Sequence, residues 1–284
     1  MAAGVALNTL FVATEAVAGV AAGSLALLAD AGHNAGDVLG LLLAWGASWL
    51  ARRPPSPRYT WGLRRSTIYA ALANAILLLV ACGGIAWEAV HRLQSPEPVA
   101  GPIVIAVAAI GVVINTLTAL LFLKGHGDAN VRGAFLHMAA DAAVSLGVVL
   151  AGVAIALTGA GWIDPVTSLV VAAVIVAGTW GLFRESLDLA LDAVPRGLEP
   201  EAIERALATL PGVSEVHDLH VWGASTSEIS VTVHLVTPDG SDRDALLAAA
   251  EALLRERFHV AHATIQIESL AAGTTCRQRP AESL

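Results

Sequence analysis

Along residues 1–190 apolar side chains run in blocks of about twenty, interrupted by short polar or turn-forming stretches. A helix rises about 1.5 Å per residue, so such a block matches the hydrocarbon thickness of a bilayer, ~30 Å. Six blocks stand at 2–22, 25–50, 67–91, 102–124, 133–158 and 164–184. Turn signals separate them: Arg52-Arg-Pro-Pro-Ser-Pro57, Ser95-Pro-Glu-Pro98, Gly125-His126-Gly127 and Gly159-Ala160-Gly161. The pattern predicts six transmembrane helices, the first a retained helix, because no basic n-region of a signal peptide precedes it.

After Pro195 the period changes. Residues 200–210 read as a short amphipathic helix closed by Pro211-Gly212, and 213–222 and 228–236 alternate as strands do. Ser241 is the expected cap of a helix reaching Phe258, and 263–270 reads as a third strand. The order αββαβ predicts a small α+β ferredoxin-like domain. The expected organisation is an α-helical membrane domain over 1–190, a linker over 191–197, a cytosolic domain over 198–271 and a tail over 272–284.

Charge orients this plan. Arg52, Arg53, Arg58, Arg64 and Arg65 lie between the second and third blocks, Lys124 and Arg132 flank the fourth connection, and Arg184 and Arg196 follow the sixth. The opposite connections hold only Arg92 near a membrane end. By the positive-inside rule both termini are cytoplasmic. Charged residues make up 14% of the chain against about 25% in soluble domains, which fits residence in a lipid bilayer. Net charge is −8, with no basic cluster to bind nucleic acid. The two cysteines, Cys82 and Cys276, are too few and too far apart for a disulfide framework.

Within the apolar blocks two pairs repeat the same step: His33-x-x-x-Asp37 and His137-x-x-x-Asp141. Four residues on a helix are one turn, so each pair shares a face, and two facing pairs would form a four-ligand N/O site. Ionisable groups in hydrocarbon are costly and mark function by default. Imidazole and carboxylate suit Zn2+, and two carboxylates neutralise it. The same atoms take up protons, with unperturbed pKa values of about 6.5 and 3.9, so metal and proton compete. The rival reading is two interhelical hydrogen bonds, which a duplicated pair makes the weaker choice. Other polar positions are less decisive. Glu15, Asn74 and Asn115 read as hydrogen-bonded structural groups, and Asp30 and Asp164 as capping residues near wet membrane ends. An enzyme is not expected: no His-Glu-x-x-His motif occurs. In the soluble part His217, His220, His234, His259, His262 and Glu268 are dense, although His217 and His220 would need a bulge to serve one site.

These motifs resemble the cation diffusion facilitator family. The likeness spans nearly the whole chain: Ser24-Leu-Ala-Leu-Leu-Ala-Asp-Ala-Gly-His33-Asn-Ala-Gly-Asp37, Asn130-Val-Arg-Gly-Ala-Phe-Leu-His137-Met-Ala-Ala-Asp141, Asp164-Pro-Val-Thr-Ser, Leu191-Asp-Ala-Val-Pro195, Val216-His-Asp-Leu-His-Val-Trp222 and Ala263-Thr-Ile-Gln-Ile-Glu268. The resemblance implies a homodimer of six-helix protomers in the lipid bilayer that exports zinc, with cobalt and cadmium as further cargo, in exchange for protons by alternating access. It places the transport site at His33, Asp37, His137 and Asp141, and a regulatory zinc site at His217 and His234, with Glu268 and His262 as further ligands. It also implies a charge pair between Arg65 and Asp192. Thr67 replaces a common Glu, which implies a reduced network there. The loop at 52–66 has no His or Asp for an extra metal site, and His126 stands in place of a His-rich tract.

Overall fold

The apolar blocks fold as helices: α1 (Ala2–Ala22), α2 (Leu25–Ala51), α3 (Ser66–Gln94), α4 (Gly101–Phe122), α5 (Ala129–Thr158) and α6 (Ile163–Ala190). The computed structural model describes residues 2–122, 129–276 and 278. Lys124, the turn at 125–127 with His126, and most of the 272–284 tail lie outside the described residues. Among those described, α3, α4, α5 and α6 are long and apolar enough to cross a membrane, and α1 contributes a shorter apolar stretch, Asn8–Ala22. The α2 helix carries Asp30, His33, Asn34 and Asp37 within about two turns, which dilutes its apolar character despite its 27 residues. Compared with the pattern-based limits, α5 starts four residues earlier and α6 runs six residues further. Polar ends such as Arg184 to Asp188 continue a helix that hydropathy alone would stop.

The chain divides into two compact units, 1–43 with 73–182, and 44–72 with 183–284. In the first unit alanines are frequent inside, and many large aliphatic residues face outward. Ala22, Ala26, Leu27, Ala29, Ala108 and Val148 form the core, whereas Val17, Leu121, Leu150 and Leu157 are exposed. An apolar solvent reverses the soluble pattern, because close packing rather than water exclusion holds the helices together. Gly101 and Gly152 let α4 and α5 approach closely: a Cβ on Gly101 would stand 2.9 Å from the Gly152 carbonyl oxygen.

In the second unit, α7 (Pro200–Ala208), β1 (Glu215–Gly223), β2 (Ile229–Thr237), α8 (Arg243–Phe258), β3 (Val260–Ser269) and α9 (Leu270–Thr275) follow in order. The sheet order is β1-β2-β3, with β1 antiparallel and β3 parallel to β2. The crossover through α8 makes the parallel pairing possible. Ile203, Leu207, Val231, Val233, Leu235, Ala250 and Leu254 close the core between the helices and the sheet. The cap of α8 is Asp242, whose carboxylate accepts from the Ala245 amide at 3.0 Å. Ser241 instead donates to the Pro238 carbonyl at 2.8 Å and closes the preceding turn. The short α9 is absent from the αββαβ pattern because its six residues are too few to show a period.

Candidate metal centres

Residues 140 positions apart anchor the helix that carries the first His–Asp pair. Ser24 caps α2 by accepting from the Leu27 amide at 3.1 Å and donates to Asp164 at 2.5 Å. Asp164, from α6, also accepts from the Leu25 amide at 2.7 Å. A carboxylate on the free amides of a helix N-terminus satisfies donors that lack intrahelical partners. Asp164 is therefore a cap, but a buried one, and it fixes α2 to α6. Asp30 is not a cap at all. It lies past the first turn of α2, fully buried, and accepts from Ser145 of α5 at 2.7 Å. Glu15 of α1 is equally buried and accepts from Asn34 at 3.1 Å. These bonds tie α1 and α5 to the face of α2 that bears His33 and Asp37.

The two pairs meet. The Nε2 of His33 lies 3.0 Å from Asp141 and 3.9 Å from Asp37, and that of His137 lies 3.3 Å from Asp37 and 3.7 Å from Asp141. Each imidazole therefore faces both carboxylates, one from its own helix and one from the other. Zinc bonds to N and O of about 2.0–2.2 Å at tetrahedral angles separate ligand atoms by about 3.3–3.5 Å. The observed spacings bracket that edge. His33, Asp37 and Asp141 hold ligand atoms within 4.8 Å of one another, and the His137 ring stands edge-on to His33 with centroids 5.9 Å apart. Burial is graded: the Asp141 side chain is 3% exposed and that of His137 46%. One Asp141 oxygen has no hydrogen-bond partner, which leaves a lone pair for a cation.

Beside the quartet is a cavity of about 600 Å3 lined by Asp37, His137, Asn8, Asn34, Asn74 and Asn115 together with apolar residues. Asn74 Oδ1 and Asn115 Nδ2 are buried, and neither atom has a hydrogen-bond partner. Their position beside the quartet offers polar groups to an ion or its water.

A second cluster lies on the sheet of the other unit. His217 of β1 pairs with His234 of β2, their rings 5.1 Å apart, and Gln266 of β3 is the neighbour of His234. Glu268 reaches His234 Nδ1 at 3.2 Å and His217 Nε2 at 3.6 Å, and Gln266 donates to its carboxylate at 2.6 Å. Between His217 and His220 the register of β1 shifts, and Asp218 adopts φ +50°. The irregularity turns Asp218 toward both neighbours: it lies 3.0 Å from His220 and 3.5 Å from the Nε2 of His234. A carboxylate behind an imidazole orients the ring and raises its basicity as a ligand. His217 is buried, and neither ring nitrogen has a hydrogen-bond partner; one Glu268 oxygen is also unpartnered. His217 Nε2 and that Glu268 oxygen, 3.6 Å apart without a hydrogen bond, are spaced to share a cation. His262 is not brought into this group. It lies near the start of β3, exposed, with its ring 4.7 Å from Trp61.

Arg65 donates to Asp192, a residue held at φ +60° just beyond α6. Arg64 pairs with Glu228 at 2.5 Å, and Thr67 accepts from the Thr226 amide at 3.2 Å. The two arginines therefore find their carboxylates at Asp192 and Glu228, and none at position 67. Sequence reading missed Asp218, Gln266 and Asn34 as parts of these sites. The signal for Asp218 was present in the demand that His217 and His220 placed on a bulge.

The profile of the cation efflux transmembrane domain matches residues 1–189, and that of the cation efflux protein cytoplasmic domain matches 195–270. The zinc transporter ZitB of Escherichia coli is 37% identical over 91% of this chain and 83% of its own length. The CzcD metal cation efflux system protein of Cupriavidus metallidurans is 33% identical over 93% and 84%. The cadmium, cobalt and zinc/H(+)-K(+) antiporter of Bacillus subtilis is 32% identical over 93% and 86%. The chain belongs to the cation diffusion facilitator family, a membrane protein with a cation efflux transmembrane domain and a cation efflux cytoplasmic domain.

Proposed function

We propose that the protein exports Zn2+ from the cytoplasm in exchange for protons, with His33, Asp37, His137 and Asp141 as the transport site. The observation that carries this reading is the mutual facing of two imidazoles and two carboxylates, 3.0–3.9 Å apart, in a bundle of apolar helices. All six long helices cross the membrane in this reading, with both termini cytoplasmic. The membrane domain spans 1–190, a linker 191–197, the cytosolic domain 198–271 and a tail 272–284. The protein works as a homodimer in a bacterial inner membrane; the match to the cytoplasmic domain and the zinc-transporter relatives support this reading.

Zinc enters the quartet as cargo when the site faces the cytoplasm. The carboxylates neutralise its charge, and the imidazoles release any protons they hold. Outward opening exposes the site to external protons, which take the imidazole nitrogens and carboxylate oxygens and displace the metal. Return with protons bound completes the exchange. The cobalt- and cadmium-handling relatives support these ions as further cargo. The cytosolic cluster of His217, His234 and Glu268 holds a regulatory zinc ion. The Arg65–Asp192 pair couples the cytosolic end of α3 to that of α6.

The test is zinc accumulation in inside-out membrane vesicles energised with a proton gradient. Uptake should collapse with a protonophore and in Asp141→Ala, while that variant stays folded. Full uptake by Asp141→Ala overturns the site, and zinc binding without any uptake favours a sensor over a transporter.

A further inference from the structure

The cytosolic cluster lacks a fourth donor from the strands, and the chain supplies one from beyond them. After β3 the Ser269 hydroxyl caps α9 by accepting from the Ala272 amide at 3.2 Å. The short α9 packs back on β3 and β2. This reversal brings Cys276 beside the central strand, with Sγ 3.6 Å from the Nδ1 of His234. The potential ligand atoms of His217, His234, Glu268 and Cys276 all lie within 4.8 Å of one another. Two independent facts make this more than a stray thiol. Neither nitrogen of His217, a residue 9% exposed, makes a hydrogen bond, and one oxygen of Glu268, 6% exposed, makes none either. The spacing also fits: Zn–S of about 2.3 Å and Zn–N of about 2.0–2.1 Å at a tetrahedral angle separate S and N by about 3.6 Å.

We infer that Cys276 is the thiolate ligand of the cytosolic centre. It completes a four-ligand site with the imidazoles of His217 and His234 and the carboxylate of Glu268, and clasps the segment after β3 onto the sheet when a soft or borderline divalent cation binds. The inference rests on the reading of His217, His234 and Glu268 as a metal site. As the S–metal bond forms, the thiol gives its proton to water, so each bound ion releases one proton from Cys276. A thiolate shifts preference toward zinc and cadmium relative to harder ions. It also places the fourth ligand outside the sheet.

The test uses the full chain in detergent with Cys82→Ala, so that Cys276 is the only thiol, and with Asp37→Asn and Asp141→Asn to weaken the membrane quartet. Cobalt titration should give the strong visible absorption of a tetrahedral ion together with a near-ultraviolet thiolate-to-cobalt charge-transfer band. Cys276→Ser should lose the charge-transfer band, keep a visible spectrum and bind zinc at least about tenfold more weakly, the scale of losing even an outer-sphere partner. Zinc should also shield Cys276 from maleimide, and His234→Ala should remove the shielding. Visible absorption without a charge-transfer band, or unchanged zinc affinity in Cys276→Ser, overturns the thiolate and leaves the His–Glu centre standing. No cobalt absorption with Cys276 intact overturns both.

Discussion

Replacing Asp141 by Asn tests the transport site with almost no change of shape. Asp141 is 2% exposed, one oxygen lies 3.0 Å from His33, and the other has no hydrogen-bond partner. A buried acceptor left unpaired costs about 1–3 kcal/mol, which a bound cation relieves. The amide keeps the volume but removes the negative charge and one of the two acceptor oxygens. Loss of a group that only supports a ligand weakens metal binding about 10–100-fold. A direct ligand belongs at or above the upper end, so the expected loss is at least about 100-fold, or about 2.8 kcal/mol at about 1.4 kcal/mol per decade. Competition titration with a fluorescent zinc chelator on the detergent-purified chain reads this, with His234→Ala present to weaken the cytosolic component. In zinc-free buffer the variant should melt no lower than its parent, because it loses an incompletely paired buried charge. A folded variant whose affinity changes less than about threefold refutes the assignment, since that is below the loss of even a supporting group.

Asp218→Asn should weaken cytosolic zinc binding about 10–100-fold through loss of ring orientation at His234, with transport-site affinity unchanged by the same titration. Gly152→Val should lower the melting temperature in detergent and cost about 1–3 kcal/mol, because the added Cβ would lie 3.0 Å from Ile105 Cγ1; Gly46→Ala, with nothing within 4 Å, should not. Leu254→Ala, at a fully buried position of α8, should cost about 2–5 kcal/mol and appear as faster amide exchange along β2. Arg64→Ala breaks a pair whose side chains are 43% and 35% exposed, so its stability effect should stay below about 1 kcal/mol in the same exchange experiment.

What could be read from the chain and what could not divide along sequence distance. The His33/Asp37 and His137/Asp141 steps are local, and one helical turn places each pair on one face whatever the surroundings. The apolar blocks likewise announce their helices because bilayer thickness fixes their length. The quartet's arrangement depends on contacts that no local pattern carries. Asp164 reaches the start of α2 from 140 residues away, and Ser145 reaches Asp30 from 115. Burial of Asp30 followed from that pairing, whereas its sequence position suggested a wet helix end. The cytosolic centre shows the same division. His217 and His234 were legible as strand residues, but the register shift at Asp218 and the return of Cys276 depend on backbone turns that residue spacing does not encode. His262, which the resemblance suggested as a ligand, shares β3 with Glu268, but its ring lies against Trp61.

The most direct measurement of the central claim is simultaneous recording of zinc and proton movement in proteoliposomes, with a zinc dye and a pH dye read together. An imposed proton gradient should drive zinc against the direction of proton flow, an imposed zinc gradient should drive protons the opposite way, and both should vanish in Asp141→Asn. Zinc movement that leaves the proton signal flat contradicts the exchange, and coupled movement that survives in Asp141→Asn contradicts the site.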